Sequence, residues 1–177
     1  MKLLLHSCCA PCSGAIIEAL CSEGVRPVVF FSNSNIESRE EYEKRLAELE
    51  RYCAAFGLEL IDDEYDHADW LQAVKGLEDE PERGARCQRC FEYRLRRAAA
   101  KAAELGLDTL STSLASSRWK SLEQVGEAGR RACEEDPGVE FWDKNWRKGG
   151  LQERRNAIIK EQNFYNQTYC GCEFSKR

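Results

Sequence analysis

Residues 3–14 carry the sequence LLLHSCCAPCSG, and this stretch decides how the rest of the fold is arranged. Its first three residues, all leucine, are typical of a short strand that is buried on both faces. Pro11 presets the backbone φ angle for the first turn of a helix, and Ile16 and Leu20 continue an apolar helical stripe. The stretch therefore predicts a strand, a turn and a helix, with three cysteines in the turn.

Four later segments share one order: a helical pattern, a glycine and then a short apolar run. The glycines are Gly24, Gly57, Gly106 and Gly138. Each is a predicted helix C-cap, because glycine readily adopts the left-handed backbone that ends a helix. With the first strand, the four runs give five strands that mostly alternate with helices. The sequence therefore predicts a doubly wound α/β fold, a five-stranded, mostly parallel sheet with helices on both faces.

Helical periodicity and capping residues predict six helices. They span residues 12–23, 38–56, 66–75, 87–105, 121–134 and 151–162. Ser38 is the predicted N-cap of the second helix and Glu41 is its capping-box partner, whereas the acidic segment 76–86 is a predicted loop. We expect a single α/β domain over residues 1–177, in which an irregular C-terminal extension, residues 143–177, packs near the active site.

Composition and length are those of an ordinary globular protein. The chain has 177 residues, of which 42% are hydrophobic and 32% charged, and no apolar run approaches the length of a membrane span. The N-terminal apolar run is too short for a signal peptide, so we expect a cytoplasmic protein without a membrane partner. The net charge of −5 argues against nucleic-acid binding through a general positive field, although a local basic patch would suffice.

The ten cysteines point to metal or redox chemistry, because a reducing compartment disfavours structural disulfides. Cys8 and Cys9 follow the first strand, at the edge of a parallel sheet where ligands bind. Cys87 and Cys90 open a helix, and their spacing places both sulfurs on one face of its first turn. Four thiolates at two helix N-termini can hold zinc or an iron–sulfur cluster, and the residue types leave both open.

Two further cysteine pairs add alternatives. Cys9 and Cys12 form a C-x-P-C pair like that of thioredoxin-like proteins, which would make the chain a thiol–disulfide oxidoreductase. Cys8 has no role in such a dithiol mechanism, and no other proline stands where that fold keeps its cis-proline. Cys170 and Cys172 are spare thiols, ligands of a second metal or a redox pair. Zinc at the thiolates would instead indicate a zinc-stabilised RNA-binding module without catalysis.

Tryptophans beside cations mark two candidate RNA contacts. One is Trp119 next to Lys120, and the other is Trp146 followed by Arg147 and Lys148. Both follow predicted strand ends, and an aromatic ring beside a cation suits stacking on an unpaired base and binding its phosphate. No glycine-rich phosphate loop follows the first strand, which argues against ATP chemistry.

Six segments, in order along almost the whole chain, form a combination that is highly specific. They are LLHSCCAPC at 4–12, NSNI at 33–36 with Glu41, Tyr42 and Arg45, RCQRCF at 86–91 with Arg94 and Leu95, STSL at 111–114 with Ser116, Ser117 and Lys120, FWD at 141–143 with WRKG at 146–149, and YNQTYCGC at 165–172. On these segments the chain resembles the QueH-type epoxyqueuosine reductases. The resemblance implies a fold related to the adenine-nucleotide α-hydrolase (HUP) group. It also implies an oxidoreductase of queuosine biosynthesis, which carries out the two-electron reductive deoxygenation of the epoxide of epoxyqueuosine at the wobble position of tRNA.

The resemblance further implies the cofactors. It implies a [4Fe-4S] cluster held by Cys8, Cys9, Cys87 and Cys90. A second metal ion, expected to be iron, would lie beside Cys12, and the reaction would use no cobalamin. The partners would be tRNA carrying epoxyqueuosine and an external electron donor of the ferredoxin or flavodoxin type.

Roles for the other matched residues are hypotheses. His6 or Tyr169 would protonate the departing epoxide oxygen, and Cys170 and Cys172 would supply reducing equivalents or cover the site. The predicted contacts to the anticodon are Trp119, Lys120, Trp146, Arg147 and Lys148. Three positions depart from the family's usual residues, namely Ser32, Ser34 and Asn166.

Overall fold

Five parallel strands form the central sheet in this computed structural model, which describes residues 1–176. The strands are β1 (Leu3–His6), β2 (Val28–Phe31), β3 (Leu60–Asp62), β4 (Thr109–Thr112) and β5 (Glu140–Phe141). Their order in the sheet is β3-β2-β1-β4-β5. In the register, His6 pairs with Phe30 on one side and with Thr112 on the other. The predicted α/β fold is confirmed, and every strand pair is parallel.

Six helices connect or follow the strands, close to their predicted bounds. They are α1 (Ala10–Ser22), α2 (Arg39–Phe56), α3 (His67–Ala73), α4 (Ala85–Glu104), α5 (Leu122–Glu134) and α6 (Leu151–Gln162). Two short 3-10 turns cover Ser113–Ser116 and Glu173–Ser175. Within residues 1–176, no helix combines the length and the apolar character needed to cross a membrane.

The predicted glycine caps form at three of the four positions. Gly24, Gly57 and Gly106 have φ angles of 80°, 65° and 70°, the left-handed region that ends a helix. Gly138 lacks a positive φ, so the prediction of a cap there is wrong. α5 ends at Glu134 instead, since Pro137 has no backbone N–H and disfavours helical geometry in the residue before it.

Half of the predicted capping box on α2 forms. The Ser38 hydroxyl accepts a hydrogen bond from the Glu41 backbone N–H at 3.2 Å. The Glu41 carboxylate accepts from Arg45 Nε at 2.9 Å and from the Tyr165 hydroxyl at 2.7 Å. Glu41 thus ties α2 to the C-terminal segment, a long-range contact that a local capping pattern cannot reveal.

Right-handed crossovers place helices on both faces of the sheet. α1 and α2 connect strands toward β3 and contact each other, whereas α4 and α5 lead toward β5 and contact each other. α6 packs against α1 and so belongs to the first of these layers. β1 lies at the centre, and all four of its residues are buried.

The strand order reverses between β1 and β4. The chain runs from β1 outward to β3 and then returns to the other side of β1, so the loops after β1 and β4 lead to opposite faces and leave a crevice. Ser113 joins the two loops, because its hydroxyl accepts from the Cys8 backbone N–H at 2.9 Å and lies 3.2 Å from Cys8 Sγ. The cysteine turn therefore lies at the point where this class of sheet binds ligands.

Candidate active site

Three thiols gather in the turn between β1 and α1. Cys8, Cys9 and Cys12 are buried, and their sulfurs all lie within 4.8 Å of one another. Cys9 has the extended backbone of an N-cap residue, and Cys12 lies in the first turn of α1. Hydrogen bonds with Cys12 and Cys9 hold the pKa of the Cys8 thiol well below its ordinary value. The group can therefore offer a thiolate to a metal ion.

A cavity of about 210 Å³ opens onto these thiols, and we call it the Cys12 cavity. Its wall combines sulfur with cations and amides. The lining residues are Cys8, Cys9, Cys12, Ser117, Arg118, Trp119, Lys120, Arg155, Asn166, Gln167 and Cys170. Arg155 Nη2 lies 4.0 Å from Cys12 Sγ, and Gln167 Oε1 has no hydrogen-bond partner among the described residues.

A narrower cavity of about 20 Å³ lies beside the start of α4, and we call it the Cys90 cavity. Cys87 and Cys90 line it from α4, as their spacing predicts for one helical face, and Cys170 and Cys172 line it from the C-terminal segment. Trp70 and Phe91 are among the other lining residues, a list that also includes Asn35, Glu82, Arg83, Arg86, Trp119, Lys120 and Ser175. Cys170, Trp119 and Lys120 line both cavities, so the two adjoin.

The structure divides the four predicted cluster ligands between these cavities. Cys8 and Cys9 line the Cys12 cavity, and Cys87 and Cys90 line the Cys90 cavity, with Cys170 on the wall between them. Cys170, for which the sequence leaves open a metal ligand, a redox thiol or a spare thiol, thus lies beside the predicted ligands. Burial opposes ionisation of Cys170, but the charges of Lys120 and Arg94 outweigh it and lower the pKa of the thiol.

Arg94 and Lys120 are two of the buried cations that accompany the thiols. Arg94 is 1% exposed and Lys120 is 6% exposed. Lys120 Nζ donates to Ser117 Oγ at 3.3 Å, and nearby thiols raise the pKa of this ammonium despite its burial. No carboxylate lines the Cys12 cavity among the described residues. Buried positive charge without an acid partner needs a nearby anion, so these cations fit a thiolate-bound metal cluster.

Arg94 is a site residue that the sequence analysis left without a role. It follows Cys90 by four residues on α4, the spacing that places two side chains on one helical face. That spacing is a signal in the sequence, but a basic helix rich in arginine suggests a solvated face. Arg96 has that character, as it pairs with Glu135 at the surface, whereas Arg97 pairs with Asp63 in a partly buried position.

His6 is buried in the sheet and both of its ring nitrogens are engaged. Nε2 lies 2.9 Å from the Ser32 carbonyl oxygen, and Nδ1 lies 2.9 Å from Thr112 Oγ1. Burial, together with the charge of Arg94, lowers the pKa of His6 to about 4. A neutral imidazole that donates to Ser32 and accepts from Thr112 satisfies both contacts. His6 therefore lies within the sheet behind the site and lines neither cavity.

Tyr169 also lies outside the lining of both cavities, and its neighbour Arg45 explains its position. Arg45 is buried, donates from Nη2 to the Tyr169 carbonyl at 3.2 Å and from Nη1 to the Cys170 carbonyl at 2.6 Å, and lies 5.1 Å from the Tyr169 ring centre. Gly171 follows with a φ of 146°, a backbone that favours glycine. These contacts of Arg45 with the backbone hold Cys170 between the two cavities.

The predicted RNA contacts divide into surface and interior residues. Trp119 is half-buried and Lys148 is exposed, whereas Trp146 is 1% exposed and donates from Nε1 to Ser111 Oγ at 3.0 Å. Stacking of Trp146 on a base would require it to leave the core. Arg147 Nη2 donates to the carbonyls of Ser117 and Lys120, the latter at 2.5 Å.

Arg83, which the sequence does not mark as a site residue, contacts the loop that carries Arg118 and Trp119. Arg83 donates from Nε to the Trp119 carbonyl at 3.2 Å and from Nη2 to the Arg118 carbonyl at 2.6 Å. Burial and the charges of Arg83 and Arg118 lower the pKa of Arg147, which shows how closely the cations gather. The sequence does not indicate a role for Arg83, because the residue lies in the acidic segment 76–86, where a patch of positive charge is not expected.

Comparison with known proteins gives one consistent result. The family model described as epoxyqueuosine reductase QueH matches residues 3–177. The chain belongs to the QueH family. Both cysteine cavities fall within the matched range, and the resemblance that the six sequence segments indicate is confirmed.

Relatives named epoxyqueuosine reductase QueH are similar over nearly the whole chain. The protein from Histophilus somni is 46% identical over 176 residues, which cover 99% of this chain and 72% of the relative. The protein from Acinetobacter baylyi is 46% identical over 99% of this chain and 81% of its own length. The protein from Thermotoga maritima is 37% identical over 98% of this chain and 89% of its own length.

Proposed function

We propose that this QueH-family chain is an epoxyqueuosine reductase. It removes the epoxide oxygen of epoxyqueuosine at the wobble position of tRNA, which leaves the carbon–carbon double bond of queuosine. Two electrons and two protons enter, and the oxygen leaves as water. The observation that carries this proposal is the family match over residues 3–177, which includes every thiol of the two adjoining cavities.

We propose a [4Fe-4S] cluster bound by Cys8, Cys9, Cys87 and Cys90, and a second metal ion, iron, beside Cys12. When bound, the cluster supplies the electrons one at a time. The compact group of three buried sulfurs and the two buried cations support metal at this place. No role is assigned to cobalamin, and the electrons come from a ferredoxin- or flavodoxin-type donor in the cytoplasm.

The Cys12 cavity is the proposed place for the modified base. Its wall offers hydrogen-bonding groups with free capacity, since Arg155 Nε and Gln167 Oε1 are buried without partners among the described residues. These groups would orient the hydroxyls of the cyclopentane ring. Lys120 lines the same cavity and would donate a hydrogen bond to the departing oxygen, a position that neither His6 nor Tyr169 occupies.

The proposed anticodon surface lies beside this cavity, because Trp119 lines the cavity and Arg147 donates to the carbonyls of Ser117 and Lys120 on its wall. Trp119 would stack on a base, and Arg147 and Lys148 would contact the backbone with help from Arg83 and Arg118. Phosphate contacts need only such a local patch, so the net charge of −5 does not oppose them.

Anaerobic purification of the chain tests the proposal. We expect a brown protein with bound iron and sulfide that converts epoxyqueuosine to queuosine in tRNA when an external reductant is supplied, as measured by mass spectrometry of the nucleosides. A colourless protein that reduces disulfides would favour the thiol–disulfide oxidoreductase with Cys9 and Cys12. Bound zinc and tRNA affinity without turnover would favour the zinc-stabilised RNA-binding module.

Cys170 and Cys172 are proposed to act as a redox pair beside the cluster. Both line the Cys90 cavity, and the lowered pKa of Cys170 favours the thiolate that such a pair requires. Substitution Cys170→Ser should retain the iron but slow turnover with a physiological donor. A wild-type rate in this variant would remove the pair from the mechanism.

A further inference from the structure

Arg94 and Trp70 are among the buried side chains near the thiols that keep N–H groups without an acceptor among the described residues. Arg94 donates from Nη1 to Asn33 Oδ1 at 3.0 Å, but its Nε and Nη2 have no partner. Trp70 is fully buried, and its Nε1 also has no partner. A buried donor left unpaired is destabilising, and more so if it is charged. Their surroundings therefore need another kind of acceptor.

No thiol of the described residues lies within hydrogen-bond distance of these N–H groups, but a cluster-bound sulfur can serve as their acceptor. Trp70 and Cys90 line the same cavity, and the indole N–H favours the thiolate of Cys90. Arg94 lies one helical turn beyond Cys90 on the same face of α4. Its charge acts on four thiols, those of Cys90, Cys170, Cys8 and Cys172. Both donors thus converge on the place where we propose that thiolates hold a cluster.

We propose that Arg94 and Trp70 are the N–H donors that raise the reduction potential of this cluster, an inference that rests on the proposed function. Net charge and hydrogen bonds to the sulfurs are two of the properties that set the potential of an iron–sulfur cluster. Reduction adds negative charge, so a nearby cation and N–H groups stabilise the reduced state more than the oxidised state. Arg94 supplies a charge and N–H groups, whereas Trp70 supplies an N–H group alone.

The surroundings hold both donors rigidly. Asn33, which accepts from Arg94, donates from Nδ2 to the Ser7 carbonyl at 2.9 Å and so anchors the guanidinium to the end of β1. Trp70 stacks between His67 and Phe174, with ring centres 5.4 and 6.4 Å away. Donors fixed in this way do not have to reorient when the cluster gains an electron. They therefore stabilise the added negative charge without a cost of reorganisation.

A redox titration of the anaerobically reconstituted full chain tests the inference, with the reduced cluster followed by electron paramagnetic resonance. Arg94→Gln should make the midpoint potential of the cluster more negative by at least about 59 mV. For one electron this is a tenfold change in the equilibrium constant between the oxidised and the reduced cluster. Trp70→Phe should shift it in the same direction by less. Arg94→Lys keeps the charge and should fall between wild type and Arg94→Gln.

Arg96→Gln is the matched control, because Arg96 lies on the same helix but is exposed and paired with Glu135 at 2.6 Å. Its midpoint should equal that of the wild type, and equal midpoints for Arg94→Gln and Arg96→Gln would overturn the inference. If Arg94→Gln binds no iron, Trp70→Phe decides, and an unchanged midpoint in that variant overturns it. A wild-type chain that binds no iron would overturn the proposed cofactor. An iron-loaded chain whose midpoint potential is the same with and without both substitutions would overturn this inference alone.

Discussion

The Cys12 cavity and the Cys90 cavity share one wall but differ in size and chemistry. The Cys12 cavity encloses about 210 Å³ and offers arginines and amides beside its thiols. The Cys90 cavity encloses about 20 Å³ and places its thiols against Trp70 and Phe91. The wider, polar space suits a hydroxylated substrate that must enter and leave. The proposed cluster ligands line both cavities, so the cluster would lie where the two adjoin, with the substrate on the side of the Cys12 cavity.

The largest effect is expected from the removal of a thiol that lines the Cys90 cavity. Cys87→Ala removes a proposed cluster ligand from the first turn of α4, so the chain should lose its brown absorbance and its turnover should fall to background. Iron analysis and the absorption spectrum measure the loss of the cluster, and mass spectrometry of the nucleosides measures the loss of turnover. Cys133→Ala is the control, because Cys133 is buried on α5 and lines neither cavity. Full absorbance and activity in Cys87→Ala would refute the ligand assignment.

A smaller effect is expected from the Cys12 cavity. Arg155→Gln removes a cation from its wall, and a charge-assisted hydrogen bond contributes about 1.5–3 kcal/mol, so kcat/KM for the modified tRNA should fall about 10- to 100-fold. The absorption spectrum of the cluster should stay at the wild-type level, because Arg155 contacts Cys12, which is not one of the four proposed cluster ligands.

The neighbouring Arg154 provides the control for this prediction. Arg154→Gln removes the same charge, but Arg154 pairs with Glu18 at 2.7 Å and with Glu161 at 3.0 Å on the surface. Exposed ion pairs contribute little, so this variant should keep its kcat/KM. Equal losses in both variants would mean that general charge matters and that the Cys12 cavity does not bind the modified base.

The elements that the sequence predicts well depend on local patterns. Apolar runs, glycine caps and the serine N-caps define most strands and helices, because each signal lies within a few residues of the element that it ends or begins. Cys87 and Cys90 fall on one face of α4 for the same reason. Gly138 departs from its pattern because Pro137 ends the helix earlier.

The parts of the site that the sequence does not predict depend on tertiary contacts. Cys170 lies between the cavities because Arg45, more than a hundred positions earlier, binds the carbonyls of residues 169 and 170. Trp146 has the sequence neighbours of a surface residue, yet it packs edge-on against Trp142 with ring centres 5.2 Å apart and is buried. A cation beside an aromatic residue in sequence therefore indicates an RNA contact only where the fold leaves both at the surface.

Arg118 provides the smallest expected effect and tests the rim of the Cys12 cavity. Its side chain is exposed beside Trp119, so Arg118→Gln should weaken tRNA binding by a few-fold and reduce the slope of log K against log salt by about 1, the loss of one phosphate contact. Iron content and the cluster midpoint should not change, because Arg118 is exposed at the rim, whereas Cys8 and Cys9 are buried. Arg130→Gln is the control, since Arg130 is exposed elsewhere and pairs with Asp143 at 2.5 Å. Titrations of tRNA at several salt concentrations measure both variants. An unchanged slope for Arg118→Gln would place the anticodon on another face, and the mouth of the Cys12 cavity would then lose its proposed role as the entrance for the modified base.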